Sequence, residues 1–91
     1  MGFNDNTRAT VKRWTEYRTP SGRWSKIKHG LQEYEYDKAQ LCNFFSWWLK
    51  GQRVQRAHFR EGCLPYRVTV PSPDGTMRSV TMFEYYTVEG E

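Results

Sequence analysis

From Arg8 to Leu31 the chain reads RATVKRWTEYRTPSGRWSKIKHGL, two stretches in which apolar and polar side chains alternate, separated by Pro20-Ser21-Gly22. A period of two predicts a pair of antiparallel strands. Proline presets φ for the first turn position and glycine accepts a left-handed one, so a three-residue loop pairs Thr19 with Arg23 and sets the register. In that register Val11 faces Leu31 and Thr15 faces Ile27, with Arg13 beside His29. The other face sets Trp14 against Lys28, Glu16 against Lys26 and Arg18 against Trp24. Each pair on this second face joins opposite charges or a cation and an indole, combinations worth roughly 0.2–1 kcal/mol apiece.

The period then changes. YDKAQLCNFFSWWLKG predicts a helix with both ends marked: Asp37 as N-cap, Gln40 at the capping-box position, Tyr36 and Leu41 placed for a hydrophobic staple, and Gly51 as a C-terminal stop. At about 100° per residue, Leu41, Cys42, Phe44, Phe45, Trp48 and Leu49 fall within an arc of roughly 160°, a broad stripe to lay across a sheet. Trp47 projects beside Gln40 and Asn43, which makes it either a half-packed residue at the core edge or an interface anchor.

The remaining apolar positions, from Arg53 to Val88, predict a three-stranded meander. Pro73-Asp74-Gly75 repeats the first loop's chemistry and pairs Ser72 with Thr76, which puts Tyr66 opposite Met82 and Val68 opposite Val80 on one apolar face. Glu61-Gly62 closes the earlier hairpin, bringing Ala57 and Phe59 against Tyr66 and Leu64 and setting Arg56 opposite Arg67 on the outer face. Residues 52–61 also fit a short helix with Gly51 as a kink, and both readings stand at this point. The fold expected is α+β: a single small domain over residues 8–91, with an antiparallel sheet (β-hairpin, helix, three-stranded meander) and one helix packed on one face. Residues 1–7 are expected to form a flexible arm.

A chain of 91 residues buries only about 60–65% of its unfolded surface, so its core needs large side chains, and an aromatic content of 16% supplies them. No apolar run approaches the roughly 20 residues of a membrane span and no secretion signal opens the sequence, so a cytoplasmic location is expected. Lipidation at Gly2 is not expected, because Asn6 stands where the myristoylation motif has Ser or Thr. The net charge of +4 is uneven: residues 1–30 hold seven cations against Asp5 and Glu16, leaving −1 for the rest. That asymmetry points to an anionic partner for the first third of the chain, against the simpler reading of a solvated face.

Catalytic chemistry is missing from the sequence. Cys42 and Cys63 read as reduced small hydrophobes, and with His29 and His58 they lack the ligand spacing of a zinc module, so neither metal nor cofactor is expected. There is no glycine-rich phosphate loop, no paired metal-binding carboxylates and no nucleophile elbow. Neither an enzyme nor a small-molecule substrate is expected.

What remains is a surface. An open sheet face with Trp14, Trp24, Phe83 and Tyr85 among Lys12, Arg18, Lys28 and Arg67 combines stacking groups with cations, as single-strand nucleic-acid binders do. Trp, Tyr and Arg are equally the residues of protein hot spots. The candidate partner-binding residues are therefore Trp14, Arg18, Trp24, Lys28 and Lys12, followed by Trp47 and the Arg56, Arg67 pair. In its size, single compact domain and lack of enzymatic and targeting signals, the chain resembles the small accessory proteins that phages encode against host machinery, anti-CRISPR proteins among them. It departs from the acidic DNA mimics of that group in being basic. The resemblance implies a stoichiometric inhibitor or adaptor docking on a host protein or nucleoprotein complex. The alternative is a single-stranded nucleic-acid (RNA or DNA) binding module.

Overall fold

The computed structural model describes residues 5–51, 56–59 and 65–89, with side chains over 5–46 and 65–89. Among the described residues seven elements follow one another: β1 (Thr7–Arg18), β2 (Trp24–Lys26), β3 (Gln32–Tyr36), α1 (Lys38–Gly51), β4 (Arg56–Phe59), β5 (Pro65–Pro71) and β6 (Met77–Thr87). All the strands join one antiparallel sheet in the order β2-β1-β6-β5-β4, with β3 also on β1. The first and last strands thus pair at the centre, from Thr7 opposite Thr87 to Tyr17 opposite Met77. The α+β class and the helix on one sheet face are as the sequence predicts.

The first hairpin keeps its predicted register over β2, where Glu16 pairs with Lys26 and Arg18 with Trp24. The amide of Gly22, at φ 87°, donates to the Thr19 carbonyl, and Thr19 N donates to Arg23 O. Beyond Ile27 the prediction fails. Gly30 takes φ 103°, a left-handed conformation that costs glycine little, and the chain resumes as β3 three residues out of step. Val11 faces Tyr34, not Leu31, and Arg13 faces Gln32, not His29. The shift replaces one leucine against the core with two tyrosines: Tyr34 and Tyr36 lie 5.9 Å apart, and Tyr36 lies 6.5 Å from Phe44.

The β5–β6 loop corrects a second register. Asp74 Oδ1 accepts from Thr76 N, Thr76 Oγ1 and Ser72 Oγ, while Ser72 N donates to Met77 O. These bonds close a four-residue loop, where the sequence reading expected three. Arg67 therefore pairs with Met82 and Val68 with Thr81. A slip of one residue exchanges the two faces of a strand. Phe83 and Tyr85, expected on the open face, lie on the helix side, and Val80 and Met82 lie opposite. Over residues 52–61 the described part, Arg56–Phe59, is a strand; Arg56 pairs with Thr69 and His58 with Arg67, so the predicted Arg56–Arg67 pairing is not formed.

Both halves of the helix start are realised. Gln40 N donates to Asp37 Oδ1 and Asp37 N donates to Gln40 Oε1, each at 2.9 Å, the reciprocal bonds of a capping box. Leu41 and Phe44 are buried with Ala9, Val11, Val68 and Phe83, and Phe45 is half-buried against them. Phe83 lies 5.2 Å from Phe44 and 5.1 Å from Phe45, and Tyr85 stacks on Phe83 and donates to the Pro65 carbonyl. Cys42, expected in this stripe, is exposed. It stands about 200° from Phe44 around the helix, so the buried arc is narrower than predicted and centred on Leu41, Phe44 and Phe45. The side chains of Trp47, Trp48 and Leu49, and Cys63 altogether, lie outside the described residues. Of the predicted arm, Thr7 opens β1, Asn6 O accepts from Val88 N, and Asp5 bonds Lys38 at 2.9 Å; residues 1–4 lie outside the description.

Candidate binding surface

The alternation of β1 that sends Ala9 and Val11 into the helix side sends Thr10, Lys12, Trp14, Glu16 and Arg18 to the other face. Cross-strand neighbours complete each row: Lys26 and Arg78 flank Glu16, Val80 and Thr69 continue from Trp14, and Met82 and Arg67 continue from Lys12.

Glu16 is the centre of this face. Only 9% exposed, it accepts Trp14 Nε1 on Oε2 at 2.9 Å, and its Oε1 receives Arg78 Nε at 2.9 Å and Nη2 at 2.8 Å. Burial alone raises its pKa, but the hydrogen bonds from Trp14 and Arg78 and the charges of Arg78 and Arg67 outweigh it and hold the carboxyl below its ordinary value. Around this centre each indole is covered by cations. Lys26 Nζ lies 4.3 Å from the Trp14 ring centre, while the guanidiniums of Arg18 and Arg78 lie 4.4 and 4.3 Å from that of Trp24. Arg78 is committed to Glu16, whereas Arg18 and Lys26 are exposed and form no ion pair among the described residues.

Trp14 and Trp24 are half-buried, and Val80 and Thr69 beside them are 0% and 2% exposed. Both indoles therefore take part in packing: the side chains of the hairpin lie across the sheet and form a thin second layer. Arg67 Nε and Thr69 Oγ1, on the β5 row next to β4, are buried without a hydrogen-bond partner among the described residues.

The structure thus brings together Trp14, Arg18 and Trp24 from the predicted set, with Arg67 close enough to influence Glu16. It does not bring Lys28 to Trp14; Lys28 is an exposed loop residue and Lys26 takes that place. Lys12 shares the face but lies 3.9 Å from Glu84. Arg56 is placed by its backbone alone, and the Trp47 side chain is not described. Arg78 escapes a reading of the hairpin alone, because only the β1–β6 pairing sets it beside Glu16. Among the described residues no three His, Cys, Asp or Glu side chains gather as a metal-binding group, and no helix is long and apolar enough to cross a membrane. Comparison of the chain with protein-family models, curated proteins and solved structures finds no match.

Proposed function

We propose that the chain is a non-enzymatic binding protein, an inhibitor or adaptor of the kind phages direct at host machinery, which docks on an acidic surface of a host protein or nucleoprotein complex. The observation that carries this reading is that the indoles are already stacked: Lys26 covers Trp14, and Arg18 and Arg78 cover Trp24. A single-strand platform offers bare ring faces to bases. Here the rings instead support cations, which fixes the positions of long side chains before binding and reduces the entropy lost when they meet carboxylates. Arg18 and Lys26 are the two contacts that remain free to pair with a partner's anions.

The variant Arg18→Gln with Lys26→Gln removes both charges and two ring contacts but no ion pair, so it should fold as wild type does, with a melting temperature lower only by the several degrees that about 0.5–1 kcal/mol per ring contact implies. Affinity capture from host lysate should retain a partner with wild type after nuclease treatment and lose it with the double variant. Capture abolished by nuclease, or direct binding of single-stranded oligonucleotides with a log–log salt slope approaching about −0.7 per phosphate contact, would replace the protein partner by nucleic acid.

A further inference from the structure

β2 and β3 lie one after the other along the same edge of β1, and no strand covers the outer side of either among the described residues. An uncovered edge offers unpaired amides and carbonyls to another strand. Charge divides this edge in two. Residues 19–31 carry Arg23, Lys26 and Lys28 and no carboxylate, while residues 32–37 carry Glu33, Glu35 and Asp37 and no cation. All six are exposed, and among the described residues none has an ionic partner: Lys26 rests on the Trp14 ring, and Glu35 accepts only from the neutral hydroxyls of Thr10 and Tyr86. Between the halves stands Leu31, 55% exposed, the most exposed large hydrophobic residue of the described chain.

We propose that this edge binds a second copy of the chain, forming a two-fold dimer in which the basic β2 of each copy lies against the acidic β3 of the other. β2 and β3 both run antiparallel to β1, so they share a direction. A two-fold axis normal to the sheet reverses the second copy's edge and makes every β2–β3 contact antiparallel. With the axis midway between Ser25 and Tyr34, the strand centres, Lys26 stands opposite Glu33 of the second copy. Both side chains project to the face that bears Trp14, because Lys26 pairs with Glu16 and Glu33 with Lys12. Directly opposed unlike charges are the favourable cross-strand arrangement. The same axis brings the two Leu31 side chains together, which gives an exposed leucine an apolar neighbour. Such an interface is isologous: both halves of the edge are consumed in one contact, so assembly closes at two and does not continue into a fibre. The dimer shares Lys26 with the stacked face of the proposed function and leaves Arg18 to that face, and it places both copies of the face on one side of a continuous sheet.

Mass measurement in solution, by sedimentation velocity on the full chain, tests this. Wild type should sediment as a dimer that dissociates on dilution. Lys26→Glu with Lys28→Glu makes both halves of the edge acidic, and Glu33→Lys with Glu35→Lys makes both basic; each variant alone should be monomeric, and an equimolar mixture should recover a one-to-one heterodimer. Leu31→Asp should also be monomeric with an unchanged melting temperature, which keeps the test decisive if the Glu35 substitution disturbs the fold. A wild type that stays monomeric at millimolar concentration overturns the proposal. So does a dimer that survives either charge reversal, or a mixture that stays monomeric.

Discussion

Asp74 shows how one side chain can decide a register. Three donors, Thr76 N and the hydroxyls of Ser72 and Thr76, converge on its Oδ1 and hold its pKa at about 2, below the ordinary 3.8. A folded-state pKa depressed in this way stabilises the fold fully above the unfolded value, and the contribution is lost as pH falls toward the folded one. Asp74→Asn should therefore lower the melting temperature at neutral pH, and the gap to wild type should close between pH 4 and 2. A gap that persists at pH 2 would mean the loop is held by its backbone alone. Glu16 is the buried counterpart. Glu16→Ala leaves Arg78 and Trp14 Nε1 without their acceptor, and since the pair is partly buried we expect a loss of about 2–4 kcal/mol in chemical denaturation. The capping box of Asp37 and Gln40 was legible in the sequence because its bonds are local. The role of Glu16 was not, because its main partner, Arg78, comes from a strand 62 residues away.

At the scale of elements, the helix and the first turn were readable from period and turn chemistry, and what failed was register. Three-residue and four-residue loops share the Pro-Asp-Gly signal, and the choice between them rests on Ser72 and Thr76, side chains flanking it. Likewise Gly30 marks a break that periodicity alone does not announce, since Lys28, Ile27 and Leu31 continue a plausible alternation. Once the slip in β6 is corrected, Phe83 becomes the residue on which the helix rests, and Phe44, not Phe45, is its deepest aromatic contact. Phe44→Ala should cost about 3–5 kcal/mol, more than Phe45→Ala, because Phe45 is only half-buried. Equal losses measured in denaturant titrations would place the two rings at equal depth and contradict this packing.

On the scale of the molecule, stability follows position in the sheet. β1 carries β6 on one side and β2 and β3 on the other, and β6 lies between β1 and β5, so β1 is paired on both sides over Ala9–Arg13 and at Glu16 and Tyr17, and β6 over Arg78–Met82. β2 and β4 are short and terminal. The helix covers Ala9, Val11 and Phe83, toward one end of β1 and β6, while the turn end of the sheet relies on the layer of Trp14, Trp24 and Arg78 on the opposite face. Local opening is easiest where few apolar contacts lie over the backbone. Amide hydrogen exchange should accordingly be slowest at Val11 and Phe83, intermediate at Trp14 and Val80, and fastest in β2 and β4. Removing the Trp24 ring by Trp24→Ala should speed exchange at Glu16 and Arg78 and leave Val11 and Phe83 near their wild-type rates, since the two layers lie on opposite sides and ends of the sheet. If exchange accelerated equally at all four positions, the turn end and the helix end would open as one unit, and the stacked layer would be part of the core that holds the whole sheet.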